Sequence, residues 1–285
     1  HRDLHSFPTR RSSDLAGQDE KKKVLPMFTS CCPAWVLFVE KYYPQFIPHL
    51  SSCKSPQQML GALVKNYYPW KKKIHPENII SLSIMPCIAK KYEAQRKEMG
   101  KKNKPDVDLV LTARELARLI KRKKIDFASL PESKTDSVLG EYTGAGILFA
   151  SSGGVMEAAL RTAYEKLTCE KLDKLDFQQV RGAQGIREAE IIFPKSKCLI
   201  KELKIKVAVA HKLVNARKIM ESLARGECEY DFVEVMACPD GCLGGGGQPI
   251  PSDSAVREKR KKAIYALDAT LPKRKSHEKD RKSVV

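Results

Sequence analysis

No run of apolar residues in this chain reaches the roughly 20 needed to cross a membrane as a helix. A secretory leader is missing too, so a cytoplasmic protein without a membrane span is expected. Acidic residues are few: 34 Asp and Glu stand against 52 Lys and Arg, for a formal net charge of +18. Such an excess fits a solvated lysine-rich surface, an acidic protein partner or nucleic acid. A recognition helix, a paired CxxC…HxxxH finger and an aromatic RNP motif are all wanting, so nucleic acid is not the expected partner. The glycine-rich stretches carry neither a Walker lysine nor GxGxxG spacing, which argues against a nucleotide site.

Cysteine is what the chain does have. The nine are Cys31, Cys32, Cys53, Cys87, Cys169, Cys198, Cys228, Cys238 and Cys242. An odd count in a chain of 285 residues does not read as a secreted disulfide scaffold. Reduced thiols, some of them metal ligands, fit better.

The organising stretch is FVEVMACPDGCLGGGGQP, Phe232 to Pro249. Its apolar start has strand composition and runs directly into Cys238, Cys242 and a glycine loop. Ligands delivered at a strand's carboxyl end suit an open α/β sheet. The glycines let backbone come close, with N–H groups free to point at thiolate sulfur. Residues 79–84 repeat the pattern: a strand leads into Met85-Pro86-Cys87, and a helix follows. On that helix Lys90 and Glu93 share a face with Cys87; the spacing fits a surface ion pair as well as a functional one. Cys31 and Cys32 precede Pro33 at a helix start, where the dipole is expected to lower thiol pKa.

Further elements follow from period and punctuation. Trp35, Val36, Val39, Tyr42 and Tyr43 form the apolar side of the first helix. Ser55 caps a second, with Met59, Leu60, Leu63, Val64 and Tyr67 inward and Pro69 at its end. Thr112 and Glu115 form a capping box for a helix to about Lys124, with Leu116, Leu119 and Ile120 inward. A helix from Val155, strands near 191–193 and 205–210, a helix over 213–223 and one over 255–267 complete the outline. Residues 1–20 read as a disordered or foreign tail, because HRDLHSFPTRRSSDL resembles translated adapter DNA. Residues 272–285 read as a charged disordered tail, and 129–138 as a lobe boundary. Cys53, Cys169, Cys198 and Cys228 are taken as ordinary core or surface thiols.

Four thiols then stand out, Cys32, Cys87, Cys238 and Cys242. Four thiolates suit a 4Fe–4S cluster or a structural zinc, although zinc ribbons use close CxxC pairs. TSCCPAW (29–35), MPCIAKKYE (85–93) and MACPDGCLGGGGQP (236–249) together resemble the three signature segments of the FeFe, or iron-only, hydrogenases. EYTGAGILF and GGVMEAA extend the likeness, which covers roughly 24–278 and bounds a catalytic domain over 24–271. The resemblance implies an α/β fold with two lobes of mixed sheet flanked by helices, enclosing a buried iron–sulfur active site. It implies reversible reduction of protons to H2 at an H-cluster. That cofactor is a 4Fe–4S cluster joined to a two-iron subcluster with CO, CN and a bridging dithiolate.

The same resemblance implies the site residues. Cys32, Cys87, Cys238 and Cys242 hold the cubane, and Cys242 bridges to the two-iron unit. Lys90 contacts a cyanide, while Met85, Met236 and Phe149 wall the site. Cys31 passes protons to the bridge amine, with Ser51 next on the path and Glu93 beside Lys90. Ferredoxin or another electron-transfer subunit, and the hydrogenase maturases, are the implied partners. The family's structured chain ahead of TSCCP and its CxxCxxC relay clusters are not found here, so a fragment of a catalytic domain is expected. Two alternatives stay open: a hydrogenase-like iron–sulfur assembly protein of the Narf type without hydrogenase activity, and a structural zinc protein.

Overall fold

The fold was read from a computed structural model, which describes residues 24–101, 104–133, 142–182 and 184–278. The tail expected over 1–20 and half of the boundary expected over 129–138 lie outside the described residues. The strands are β1 (Met27–Phe28), β2 (Leu82–Met85), β3 (Gly100–Lys101), β4 (Lys104–Pro105), β5 (Leu109–Thr112), β6 (Ile186–Phe193), β7 (Leu203–His211) and β8 (Phe232–Met236). The helices are α1 (Pro33–Tyr42), α2 (Pro56–Lys72), α3 (Ala89–Ala94), α4 (Ala113–Arg122), α5 (Gly144–Leu148), α6 (Gly154–Thr168), α7 (Leu213–Ala224) and α8 (Ser254–Thr270).

The main sheet has the order β1-β8-β7-β6, parallel except for β6. Its centre is β8, buried at every position, as expected of a parallel strand covered on both faces. Alternation divides β7 and β8 between two cores. Ala208, Ala210, Val233 and Val235 meet Trp35 and Val39 of α1 and Ile219 and Met220 of α7. Val207, Val209 and Phe232 meet Met156 and Leu160 of α6. A second, parallel pair, β2 and β5, carries the next thiol segment. Its capping box is formed as the sequence implies: Thr112 Oγ1 accepts the Glu115 N–H at 3.1 Å, and Glu115 returns the bond to the Thr112 N–H at 2.7 Å.

Four expectations need correction. On α2 the face chosen as core is outward: Met59, Leu60 and Leu63 are 44%, 54% and 43% exposed, whereas Gln57, Gln58 and Gly61 are buried. The period was right, but a polar network occupies the inner side. Pro69 does not end that helix. It sits inside the last turns, and Lys73 in the left-handed region closes them. On α1 Tyr42 is exposed, and on α4 Leu119 is exposed. Cys169 and Cys198 are not ordinary thiols but a disulfide joining the end of α6 to the turn after β6.

The tail is also shorter than expected. Residues 273–278 fold back onto the body: the N–H groups of Gly144 and Ala145 donate to the carbonyls of Lys273 and Arg274. Lys275 and His277 reach Glu165 at 2.7 and 2.6 Å. Composition reads only charge there, while the partners lie on α5 and α6. Below them Arg161, with no exposed surface, spans Glu157 at 2.7 Å and Asp268 at 2.8 and 2.9 Å, tying α6 to α8.

Candidate metal centre

Three chain segments bring their thiols to one place. Cys32 ends the turn after β1 and caps α1, with Pro33 supplying the first helical residue. Cys87 follows β2 directly, and α3 begins two residues later. Cys238 and Cys242 follow β8, with Cys242 inside a short 3-10 turn. The glycine loop after Cys242 lies against the Cys87 turn. A Cβ on Gly245 would stand 2.1 Å from the Pro86 carbonyl oxygen, and one on Gly247 2.9 Å from the Cys87 nitrogen. The Gly247 N–H donates to Pro86 O at 2.9 Å, so glycine is required for the two thiol turns to touch.

The electrostatics follow from this crowding. Burial is the largest effect on Cys87 and pushes its thiol up; the N–H groups of Lys90 and Ala89 pull it partly back, and Cys32 pushes it further up. Cys238 is raised by burial and then by Cys32 and Cys87, against the Gly246 N–H, which points at its sulfur as the glycine loop suggested. Cys242 is pushed up to about 12 by burial, Cys32 and Cys87. Each thiolate is thus opposed by the low dielectric and by its neighbours, and a cationic iron group would relieve both. Thiolate donors with backbone N–H groups on their sulfurs suit an iron–sulfur cluster. One tetrahedral zinc would draw its sulfurs to about 3.8 Å from one another. Among the described residues no three His, Cys, Asp or Glu side chains are gathered tightly enough for a single ion.

Beside the thiols lies a buried ion pair. Lys90 and Glu93 are 6% and 3% exposed, which excludes a surface pair. Lys90 Nζ donates to both Glu93 carboxylate oxygens and to the Cys31 carbonyl, all at 3.0 Å, matching its three protons. Glu93 also accepts from Ser55 Oγ at 2.8 Å and Gln57 Nε2 at 3.2 Å. Cys31 itself departs from the sequence expectation. Burial raises its thiol strongly, with Cys32, Glu234 and Cys242 adding to the rise and Lys90 opposing it. Desolvation outweighs the helix dipole, which acts only over the first turn.

The other expected residues divide. Ser51 runs beside β1: its N–H donates to Phe28 O at 2.8 Å, and its Oγ accepts the Cys53 N–H at 3.2 Å. Met236 is buried at the end of β8. Phe149 follows α5, one residue before Ala150, whose carbonyl accepts the Leu243 N–H at 3.3 Å beside Cys242. Met85 packs on Ala94, Val107 and Val110 beneath the Cys87 turn. Sequence reasoning missed Gln57, which donates to the Lys90 carbonyl and to Glu93, and Glu234, the lone carboxylate in an apolar strand. A charged residue inside FVEVM was the available signal for the second.

The sequence and the fold have known counterparts. The family model described as "Iron only hydrogenase large subunit, C-terminal domain" matches residues 9–246. The NADP-reducing hydrogenase subunit HndD of Solidesulfovibrio fructosivorans is 47% identical over 273 residues, 95% of this chain and 45% of the relative. The periplasmic [Fe] hydrogenase large subunit of Nitratidesulfovibrio vulgaris is 46% identical over 88% of this chain and 57% of its own length. A cytosolic Fe-S cluster assembly factor, narfl of Danio rerio, is 32% identical over 82% of this chain and 57% of its own. Among solved structures, apo [FeFe]-hydrogenase HydA1 from Chlamydomonas reinhardtii superposes with a TM-score of 0.77 at 44% identity, covering 91% of this chain and 70% of that one. The chain spans about half the length of the curated relatives it matches. A family model matching most of its length, relatives at 47% and 46% identity and a shared fold make this chain a member of the iron-only hydrogenase large-subunit family.

Proposed function

We propose that this chain carries the catalytic centre of an iron-only hydrogenase, interconverting protons and H2. The observation that supports this most is the convergence of Cys32, Cys87, Cys238 and Cys242 from three distant segments, beside a buried Lys90–Glu93 pair. These four thiols would hold a 4Fe–4S cubane, and Cys242 would also serve the two-iron unit. When bound, that H-cluster would accept electrons from the redox partner and supply the iron centre at which protons are reduced. The chain's own residues do the rest. Cys31 Sγ holds a proton at the inner wall of the pocket and is not needed as a cubane ligand. Ser51, held beside β1 by its N–H bond to Phe28 O, would come next on the proton path. Lys90 is a fixed cation, oriented by Glu93, that can donate to an anionic diatomic ligand in place of one present bond. Met236 and Phe149 exclude water, and Met85 supports the Cys87 turn from below.

The assembly-factor reading is kept alive by the 32% identity to narfl. Cys31 and Lys90 favour the enzyme, because a cluster carrier has no use for a proton-holding thiol and a buried ammonium beyond the four ligands. Electrons would come from ferredoxin or a partner subunit, and maturases would install the two-iron unit. No described helix is long and apolar enough to cross a membrane. A cytoplasmic location remains our proposal, since one relative is named as periplasmic.

Anaerobic reconstitution with iron and sulfide tests the ligand set. One 4Fe–4S cluster per chain is expected, and Cys87→Ala or Cys238→Ala should prevent its assembly. Full cluster content in both variants, or zinc as the bound metal, would remove the assignment. H2 evolution by the matured full-length protein with a reduced dye separates the enzyme from the assembly factor.

A further inference from the structure

Glu234 sits at the middle of β8 with no exposed surface. Its Oε1 accepts the Gly153 N–H at 2.7 Å and its Oε2 the Met156 N–H at 2.6 Å, so the carboxylate closes the first turn of α6. That turn leads from Ala150–Ser152, which in turn supports Cys242 from both sides. A Cβ on Gly241 would stand 2.9 Å from Ala150 O and from Ser152 N, and the Leu243 N–H donates to Ala150 O. The residues before and after Cys242 therefore lean on a segment that Glu234 holds. The same carboxylate is near enough to the pocket to raise the Cys31 thiol.

We propose that Glu234 is a positioning residue whose clamp on α6 sets the Cys242 turn, and whose charge is felt in the thiol pocket. The reduction potential of an iron–sulfur group held there then follows the ionisation of Glu234. This rests on the iron–sulfur reading above. Reduction takes one electron from an external dye. Where Glu234 is ionised beforehand, it is accompanied by uptake of up to one solvent proton at its carboxylate. A negative charge near the cluster opposes the added electron, so the potential falls as the pH rises through the Glu234 transition and levels above it.

The groups facing Glu234 leave it free to titrate. Burial is the main effect and raises it to about 7, against the N–H groups of Met156, Gly153 and Val155, with Glu157 of α6 raising it slightly. Glu157 is itself engaged by Arg161 and Arg181. On β7 the register partner is apolar Val209. Two pairs further along, opposite Met236, stands His211, whose pKa burial lowers. Cys31 faces the carboxylate from the β1–α1 turn.

The test is a potentiometric titration of the reconstituted 285-residue chain, carrying the cubane alone, at several pH values. The wild-type potential should fall between about pH 6 and 8 and be level above. Glu234→Gln, nearly the same shape, should load the same iron and hold one potential across that range, at the wild-type acid limit. A flat wild-type profile, or an unchanged slope in Glu234→Gln, overturns the proposal, since a purely structural clamp would leave the slope alone. A second measurement needs neither variant nor cluster: the carboxyl carbon shift of Glu234 in the metal-free chain. A midpoint near 7 supports the proposal, and one near the ordinary 4.3 overturns it. Failure to load any iron–sulfur cluster alongside a midpoint near 7 would count against the cofactor reading and leave Glu234 as a buried acid.

Discussion

Removing Glu93 should destabilise the metal-free chain more than removing any exposed carboxylate. Its side chain takes four bonds, two from Lys90 Nζ at 3.0 Å, one from Ser55 Oγ at 2.8 Å and one from Gln57 Nε2 at 3.2 Å. Glu93→Leu leaves the Lys90 ammonium buried with only the Cys31 carbonyl, and Ser55 and Gln57 lose a shared acceptor. Breaking a buried pair from one side costs about 3–5 kcal/mol, mostly through the charge left behind. For a chain of this size that is a fall in melting temperature of roughly 6–20 °C. Lys90→Met should cost a similar amount. The double variant Lys90→Met/Glu93→Leu removes both charges and should recover at least about half of either loss, because neither ion is then stranded. Urea unfolding followed by circular dichroism measures all four chains under dilute reducing conditions. If Glu93→Leu lies within about 1 kcal/mol of the wild type, or if the double variant loses the sum of the singles, the pair is not a desolvated one and the reasoning fails.

Three further outcomes follow from particular contacts. Cys169 and Cys198 should resist alkylation in the unreduced native chain while the remaining thiols react after mild unfolding. Cys169→Ser should cost about 3–4 kcal/mol for a bridge spanning 29 residues, and equal labelling of all nine cysteines would refute the bridge. Burial raises Glu165, but the Lys275 ammonium, the Leu172 N–H and His277 outweigh it and hold the carboxyl at about 2. Its folded pKa lies below the unfolded one, so its contribution of roughly 3 kcal/mol is present above about pH 4.5 and fades toward pH 2. Proteolysis of residues 273–278 should therefore rise across that window, and Glu165→Gln should already be open at neutral pH. In the matured full-length protein, Cys31→Ser should keep its iron yet lose nearly all H2 evolution, while Cys31→Asp recovers part of it. Near-normal turnover in the serine variant would return Cys31 to a packing role.

The elements were legible because each strand and helix near the site carries its own punctuation. Phe232–Met236 ends at a cysteine and a glycine loop, Thr112 and Glu115 spell a capping box, and Ser55-Pro56 opens a helix; all three appear where the period places them. Coverage was not legible. The apolar row Met59, Leu60, Leu63 on α2 has the same period whether or not anything packs on it. Nothing in the residues themselves says that the opposite face, with Gln57 and Gln58, turns inward. What decides that is a carboxylate and a lysine on α3, more than 30 residues away. The pairing of Cys169 with Cys198 is similarly non-local.

The site divides along the same line. The segments that carry the thiols could be placed because cysteine near a strand end is a local pattern, and Cys32, Cys87 and Cys238 each follow a strand. Their acidity could not be read this way, because it depends on burial. At a helix start the dipole favours a thiolate by about 1 kcal/mol or less at an exposed position. Cys31, however, lies under Lys90, Glu234 and Cys242, and desolvation reverses the direction. The spacing Cys87, Lys90, Glu93 had the complementary ambiguity. Three-residue steps make an exposed pair on a helix surface far more often than a buried one. Here Ser55 and Gln57 close over Glu93 and the Lys90 carbonyl, so the pair is enclosed and its strength becomes a question of desolvation. A lysine so enclosed is oriented before any anionic ligand arrives. That orientation, rather than the charge alone, is what the chain would contribute to the proposed four-thiol centre.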